Sequence, residues 1–229
     1  MPAENATTTV VPLRGVRGMV ASKMLASATS TAPVTPHAAA AASALLARKR
    51  TLSERGRKVS IEDLVLEAVV RSLGRHRWLN GWVEGNQVHL EERVHLSVAI
   101  DQTDNGLVAP TIFDAQELDA EALRERRRDL TSRAATNALR VPEMSGGTFT
   151  VSNLGRSRVR AFTPILNAPQ IAILGVGRTE HVAVPGDDGG VTWQPRMGLS
   201  LTFDHRAVDG APAAAFLGDL CETLETYPP

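Results

Sequence analysis

The segment Ser200-Leu-Thr-Phe-Asp-His-Arg-Ala-Val-Asp-Gly-Ala211 is the most informative stretch of the chain. Its first residues favour a strand, and Gly210 opens a run that favours a helix. His205 and Asp209 therefore share one tight loop between the two elements. A histidine held rigidly in such a loop suits a general base at the mouth of a cleft. The alternative is an ordinary turn with solvated charges, because Asp-His-Arg and Asp-Gly are common loop compositions.

Other chemical motifs are weak or absent from the sequence. The lone Cys221 excludes a disulfide framework and a multi-cysteine metal site, and we expect no bound metal. Gly175-Val-Gly177 is not followed by x-x-Gly, and the sequence contains no P-loop, so neither glycine-rich motif for binding nucleotide phosphates is present. The sequence also lacks the G-x-S-x-G elbow, which excludes a serine hydrolase that uses this motif. Five further histidines lack a chemical partner in the sequence and are interpreted as structural: His37, His76, His89, His95 and His181.

The composition is that of a soluble globular protein. The chain has 229 residues, 43% hydrophobic and 22% charged, with 25 basic and 25 acidic side chains. A neutral chain of pI near 7.0 has no general basic footprint for nucleic acid. No stretch approaches the roughly 18 apolar residues of a membrane span, and the first residues lack a signal pattern. We therefore expect a cytoplasmic protein with neither a nucleic-acid nor a membrane partner.

Periodicity and turn residues predict helices and strands without a strict β-α-β rhythm, which indicates an α+β sandwich built on a mixed sheet. We expect residues 1–12 to form a flexible arm and residues 13–229 to form one domain. The arginine cluster at 124–128 is interpreted as a solvated, salt-bridged helix face rather than a phosphate-binding patch. The predicted helices cover residues 14–27, 60–73, 117–139 and 210–226, the predicted hairpin covers 81–90, and the strands cover 95–100, 106–110, 148–152, 171–176 and 196–203.

Together with several other motifs, residues 200–211 resemble the H-x-x-x-D-G signature of the catalytic domain of dihydrolipoamide acyltransferases from 2-oxo acid dehydrogenase complexes. The Asp-His-Arg form distinguishes it from the His-His start in chloramphenicol acetyltransferases, which share the fold. The resemblance covers the chain from about residue 12 to its end. The other matching motifs are Gly146-Gly-Thr-Phe-Thr-Val-Ser-Asn-Leu-Gly155, residues 162–176, Arg17-Gly-Met-Val-Ala-Ser-Lys-Met24, Trp78-Leu-Asn80 and Gly106-Leu-Val-Ala-Pro110.

The resemblance implies a chloramphenicol-acetyltransferase-like, two-layer α+β sandwich and a homotrimer with active sites between neighbouring subunits. Each active site would lie in a channel between two subunits. Coenzyme A, the co-substrate, would enter the channel at one end, and the dihydrolipoyl arm of a carrier domain would enter it at the other end. His205 would be the catalytic base, Ser152 the hydroxyl that binds the oxyanion, and Asp209 a residue that holds the catalytic loop. The resemblance also places His37–Ala41 in a strand. It assigns no residue to coenzyme A binding.

Two departures from that family bear on partners. None of the three lysines, Lys23, Lys49 and Lys58, has the surroundings of a lipoyl attachment site. The lipoyl carrier is therefore expected in trans, unless the chain is part of a longer protein. The family's apolar tail is replaced by residues 225–229, which end in two prolines that cannot continue a helix. That difference predicts an isolated trimer rather than a cubic or dodecahedral core.

Two alternatives to the acyltransferase interpretation remain open. In the first alternative, the chain is a non-catalytic trimeric assembly core, although such a core is expected to lose the histidine that is retained here. In the second, the chain is an enzyme that transfers the acyl group to a different acceptor, such as a small-molecule alcohol, an amine or a carrier-protein phosphopantetheine. The acyl group is also open, because one methylene changes the discrimination between substrates by only about 1–3 kcal/mol.

Overall fold

A computed structural model describes residues 8–102, 106–186 and 189–228. The helices are α1 (Gly15–Ser30), α2 (Ser43–Glu54), α3 (Ile61–Arg75), α4 (Ala120–Ala135), α5 (Val141–Ser145) and α6 (Gly210–Glu225). The strands are β1 (Pro33–Val34), β2 (His37–Ala41), β3 (Gly81–Glu84), β4 (Gln87–Leu90), β5 (Leu96–Val98), β6 (Ile100–Asp101), β7 (Leu107–Val108), β8 (Thr111–Ile112), β9 (Phe149–Asn153), β10 (Ala172–Pro185) and β11 (Val191–Asp204).

The central sheet is mixed, which confirms the predicted α+β class. Its strand order is β1-β11-β10-β9-β5-β8, and β2 also pairs with β11. β9 runs parallel to both β10 and β5, whereas β11 is antiparallel to β10, β1 and β2. Helix α6 packs against β2, β11 and α3, and α3 packs against α4, so these helices form a layer beside the sheet.

Helix α3 shows most directly how the sequence determines local structure. Ser60 Oγ accepts a hydrogen bond from the Asp63 backbone N–H, and the Asp63 carboxylate accepts one from the Ser60 backbone N–H, which completes a capping box. The apolar stripe predicted from the periodicity, which includes Leu64 and Val65, is buried in the core. The β3–β4 hairpin lies where the turn residues place it, and strand β2 lies where the family resemblance places it.

Helix α4 differs from its prediction in length and in the surroundings of one arginine. It begins after Asp119, whose side chain accepts a hydrogen bond from the Ala122 N–H, and it ends at Ala135 rather than Leu139. The solvated face is wrong for Arg127, because its guanidinium lies 2.9 Å from carboxylate oxygens of both Glu62 and the buried Asp63. One member of the cluster therefore joins α4 to α3.

Strands β10 and β11 are longer than predicted. The predicted segments 171–176 and 196–203 are strands, but the pairing continues outward as far as Pro185 opposite Val191. In this outer part the side chains of β10 alternate between exposed and half-buried, and those of β11 are exposed and then half-buried, so no run of buried apolar residues marks it as strand. A bulge between Val176 and Thr179 separates the buried and outer parts of the pair.

The N-terminal part of the chain is only partly described. Residues 1–7 of the predicted arm lie outside the described residues, and residues 8–14 are exposed and outside helices and strands. Helix α1 forms close to its predicted position, but the apolar face used to predict it is open in the protomer, with Val16 46% and Met19 66% exposed. No described helix is both long and apolar enough to cross a membrane.

Candidate active site

The loop that carries His205 connects the end of β11 to the start of α6. The His205 backbone N–H donates to the carbonyl oxygen of Ala32 over 2.8 Å, so the segment before β1 holds the loop from one side. The imidazole side chain is 45% exposed and lies 5.6 Å from the ring of Phe203. This imidazole is fixed at its backbone and open to an incoming molecule.

Asp204 is the residue that anchors this loop. Its side chain is 1% exposed, and Oδ1 accepts hydrogen bonds from the backbone N–H groups of Ala32 and Arg206, over 3.2 and 3.1 Å. The Arg206 guanidinium also donates to both carboxylate oxygens, over 3.0 and 2.5 Å. Burial alone would raise the pKa of Asp204, but the hydrogen bonds from Arg206 and the two backbone groups outweigh it and hold that pKa below its ordinary value.

Within one protomer, the contact between Asp209 and His205 is weaker than the predicted role of Asp209 in holding the loop requires. Its side chain is 84% exposed, and Oδ1 lies 3.8 Å from His205 Nδ1, which is within ion-pair range but too long for a hydrogen bond. It occupies the N-cap position of α6 without forming a side-chain capping bond. In the described protomer the loop is held by Asp204, a residue of the motif to which the family resemblance assigns no role.

We expect Asp204→Asn to lower both stability and turnover, because a neutral amide replaces the anchor of the catalytic loop. Since the folded-state pKa of Asp204 is depressed, its contribution to stability is present above the ordinary aspartate pKa of about 4 and is lost as pH falls through the depressed value. Urea unfolding of wild type and of Asp204→Asn at pH 7 and at pH 3 measures the difference in the free energy of unfolding. A free energy of unfolding equal to that of wild type at pH 7 would contradict the anchoring role.

Ser152 lies at the end of β9, half-buried and opposite Gly175 of β10. Among the hydrogen bonds between described residues, none engages its hydroxyl group, which is therefore free to donate. The close packing around this position depends on Gly175, because a Cβ there would lie 2.8 Å from the ring of Phe162. The strand predicted over residues 148–152 is found at Phe149–Asn153, so Ser152 is its last residue but one. The Ser152 hydroxyl has no competing structural role in the described protomer.

The sheet register shows that Ser152 and His205 of one protomer do not meet. Ser152 is level with Ser200 through Gly175, so His205 lies five positions further along and two strands across. At about 3.3 Å per residue and about 4.8 Å per strand, the two residues are on the order of 15–20 Å apart. They can act on the same atom only if they come from different copies of the chain.

Three of the other histidines, His37, His89 and His95, make contacts within the fold. His37 Nδ1 lies 2.8 Å from Ser200 Oγ, and His95 Nδ1 accepts from the Asp114 N–H over 3.1 Å. His89 stacks on Trp82. No group of three or more potential metal-binding side chains occurs in the part of the chain that the structure describes.

The mixed sheet and the strand-to-helix loop with its histidine define the class to which this chain belongs, the chloramphenicol-acetyltransferase fold. A solved chloramphenicol acetyltransferase superposes with a TM-score of 0.57 at 16% identity, over 84% of this chain and 88% of that one. The family model of the 2-oxoacid dehydrogenases acyltransferase (catalytic domain) matches residues 5–228. The chain belongs to this family, which confirms the resemblance drawn from its motifs.

Individual relatives agree with that membership. The dihydrolipoyllysine-residue acetyltransferase component of the acetoin cleaving system of Bacillus subtilis is 35% identical over 95% of this chain and 54% of that protein. The chain thus spans about half the length of this curated relative. The dihydrolipoamide acetyltransferase of Azotobacter vinelandii, studied for the catalytic role of a serine, a histidine and an asparagine, superposes with a TM-score of 0.88 at 30% identity, over 98% of this chain and 94% of that one.

A further solved structure bears on assembly. The cubic core of a pyruvate dehydrogenase multienzyme complex superposes with a TM-score of 0.88 at 29% identity, over 98% of this chain and 94% of that one. The comparisons therefore give no support to the expectation that an isolated trimer is favoured over a large core.

Proposed function

We propose that this chain catalyses reversible acyl transfer between coenzyme A and a dihydrolipoyl thiol on a partner domain. Membership of the acyltransferase catalytic family supports the reaction class. The observation that carries the proposal is the half-exposed His205 imidazole on a loop fixed by the buried Asp204 carboxylate. A scaffold without catalysis has no use for a histidine held in this way.

His205 acts as the general base. A thiol with an ordinary pKa of about 8.5 is mostly protonated at neutral pH and attacks a thioester poorly. In the proposed step the imidazole takes the proton of the dihydrolipoyl thiol while its sulfur attacks the carbonyl carbon of the acyl-CoA thioester. When the carbon–sulfur bond to coenzyme A breaks, the same proton passes to the departing sulfur. The result is an acyl-dihydrolipoyl group and free coenzyme A, and the reverse reaction uses the same groups.

Ser152 of a neighbouring protomer donates a hydrogen bond to the oxyanion that forms on the attacked carbonyl. Two facts support this assignment: the Ser152 hydroxyl has no partner among the described residues, and it lies too far from His205 of its own protomer. A homotrimer accounts for both facts. In a closed ring, each interface can bring the histidine loop of one copy next to the serine strand of its neighbour, where the Ser152 hydroxyl finds its partner in the substrate. The site is incomplete without a second copy.

Asp209 is proposed as a positioning residue for His205. The Azotobacter study names an asparagine four residues after its histidine. The present chain has Asp209 at that spacing, 3.8 Å from His205 Nδ1. A carboxylate and a carboxamide of similar shape both orient an imidazole, so we assign Asp209 to holding the ring rather than to proton transfer.

Assembly into a 2-oxo acid dehydrogenase type of complex, in which a lipoyl carrier domain presents its dihydrolipoyl group to this site, is the arrangement that the family match favours. The family match to residues 5–228 supports residues 13–229 as the catalytic domain. The isolated trimer stays a prediction, to be compared with a larger core by measuring the molar mass in solution by light scattering.

A steady-state assay tests the proposed reaction. Acetyl-, succinyl- and isobutyryl-CoA are offered with free dihydrolipoamide, and thioester transfer is followed at pH 7. We expect turnover with at least one donor, and the ranking of the three reports the acyl preference. No turnover with any donor would contradict a dihydrolipoamide acceptor. Turnover that appears only with an alcohol, an amine or a phosphopantetheine carrier would identify the other acceptor class.

A further inference from the structure

The loop that follows Ser152 is strongly cationic. Residues 156–160 read Arg-Ser-Arg-Val-Arg, and all three arginines are exposed. The chain as a whole carries equal numbers of basic and acidic side chains. Three arginines within five residues, beginning four residues after the proposed oxyanion donor, are therefore a local concentration of charge.

Hydrogen bonds and close packing fix the path of this loop. The Arg178 N–H donates to the Val159 carbonyl oxygen over 2.8 Å, and the Val159 N–H donates to Ser157 Oγ over 3.1 Å. The Arg160 carbonyl oxygen lies so close to β10 and β11 that a Cβ on Gly177 or Gly198 would be about 2 Å from it. The loop crosses both strands at these glycines, so its side chains project from a fixed backbone.

The charge of the loop is only partly neutralised. Glu180 lies 2.5 Å from Arg160 Nε and 2.5 Å from Arg178 Nη2, so one carboxylate serves two guanidiniums. Among the described residues, no hydrogen bond or ion pair engages the side chain of Arg156 or Arg158. The Nε atom of Arg178 is also buried, and no described residue accepts a hydrogen bond from it. The guanidinium groups of Arg156, Arg158 and Arg178 therefore have unused hydrogen-bond donors, which suit an anion.

We propose that Arg156 and Arg158 bind phosphate groups of coenzyme A. The inference rests on the proposed function, because coenzyme A is the co-substrate there. At no more than about 3.6 Å per residue, the Cα atoms of Arg156 and Arg158 lie within about 14 and 22 Å of Ser152. Coenzyme A carries its phosphates at the far end of the pantetheine arm from its thiol, so anions belong at some distance from the reacting carbonyl. Guanidinium groups match phosphate oxygens with paired donors.

An acidic surface of the carrier domain is the competing occupant. The position of the arginines favours the phosphates, because the loop starts beside the oxyanion donor and is fixed by backbone contacts. A fixed set of donors suits a small ligand that must be held in one orientation for reaction.

The test compares two double variants that each remove two positive charges. Arg156→Gln/Arg158→Gln changes the proposed site, and Arg126→Gln/Arg128→Gln changes exposed positions on α4. The affinity for coenzyme A is measured by calorimetry. Steady-state kinetics with free dihydrolipoamide then compare acetyl-CoA with S-acetylpantetheine, a thioester without phosphates.

We expect Arg156→Gln/Arg158→Gln to weaken coenzyme A binding and raise the KM for acetyl-CoA by at least about tenfold, the effect of losing roughly one charge-assisted contact. The kcat, and kcat/KM with S-acetylpantetheine, should stay within about twofold of wild type. The α4 control should match wild type throughout.

Equal coenzyme A affinity in the two double variants would overturn the inference. So would an unchanged KM for acetyl-CoA together with a raised KM for a dihydrolipoylated carrier domain, which would assign the arginines to the protein partner. If wild type transfers no acyl group, the proposed function fails, and calorimetry with coenzyme A still decides the inference. No coenzyme A binding by wild type would overturn the inference, and binding that only the loop variant loses would support it.

Discussion

His205→Ala is expected to lower the kcat of acyl transfer by about 10³- to 10⁴-fold, at or near the upper end of what general-base catalysis contributes. Without the imidazole no group in the proposed site accepts the thiol proton, and the thiol itself is a weak nucleophile. The KM for acyl-CoA should change little, because the imidazole acts on the proton rather than on the body of the substrate.

His181→Ala is the matched control for this variant. His181 lies exposed on the outer part of β10, so its removal deletes the same chemical group far from the catalytic loop. Thermal unfolding of both variants shows whether the fold is retained, and His205→Gln provides a second replacement that cannot accept the proton. Turnover of folded His205→Ala equal to that of wild type would contradict the role of His205.

Ser152→Ala is expected to lower kcat by about 10²- to 10³-fold, the usual loss when one oxyanion donor is removed. The hydroxyl stabilises charge that exists only at the tetrahedral stage, so kcat and kcat/KM should fall together. The free energy of unfolding should hardly change, because the Ser152 hydroxyl makes no hydrogen bond to other described residues.

Ser132→Ala on the exposed side of α4 is the corresponding control and should retain wild-type kcat. A Ser152→Ala variant with raised KM and unchanged kcat would assign Ser152 to substrate binding instead. An equal loss in both serine variants would indicate a general effect on folding.

Local signals in the sequence were sufficient for much of the fold. The capping residues Ser60 and Asp63 and an apolar stripe predict α3, and the Gly85-Asn86 turn predicts the β3–β4 hairpin. The strand at His37–Ala41 needed the family resemblance, because a run of alanines favours a helix by propensity. Its pairing with β11, a tertiary contact, overrides that propensity.

The features that sequence reasoning missed depend on contacts between distant segments. Asp204 anchors the catalytic loop partly through the Ala32 N–H, and nothing in the local sequence indicates that partner. Arg127 looked like one more solvated arginine because its carboxylate partners lie on α3. The separation of Ser152 from His205 follows only from the strand register, which motif spacing does not give.

Mixing two inactive variants tests most directly the central claim that each active site is formed by His205 of one protomer and Ser152 of another. Ser152→Ala and His205→Ala chains are co-expressed, and the mixed oligomers are assayed against each variant alone. In a trimer mixed at random in equal amounts, about a quarter of the interfaces pair an intact histidine with an intact serine. We predict recovery of about a quarter of wild-type kcat. Mixed oligomers no more active than the separate variants would contradict the claim.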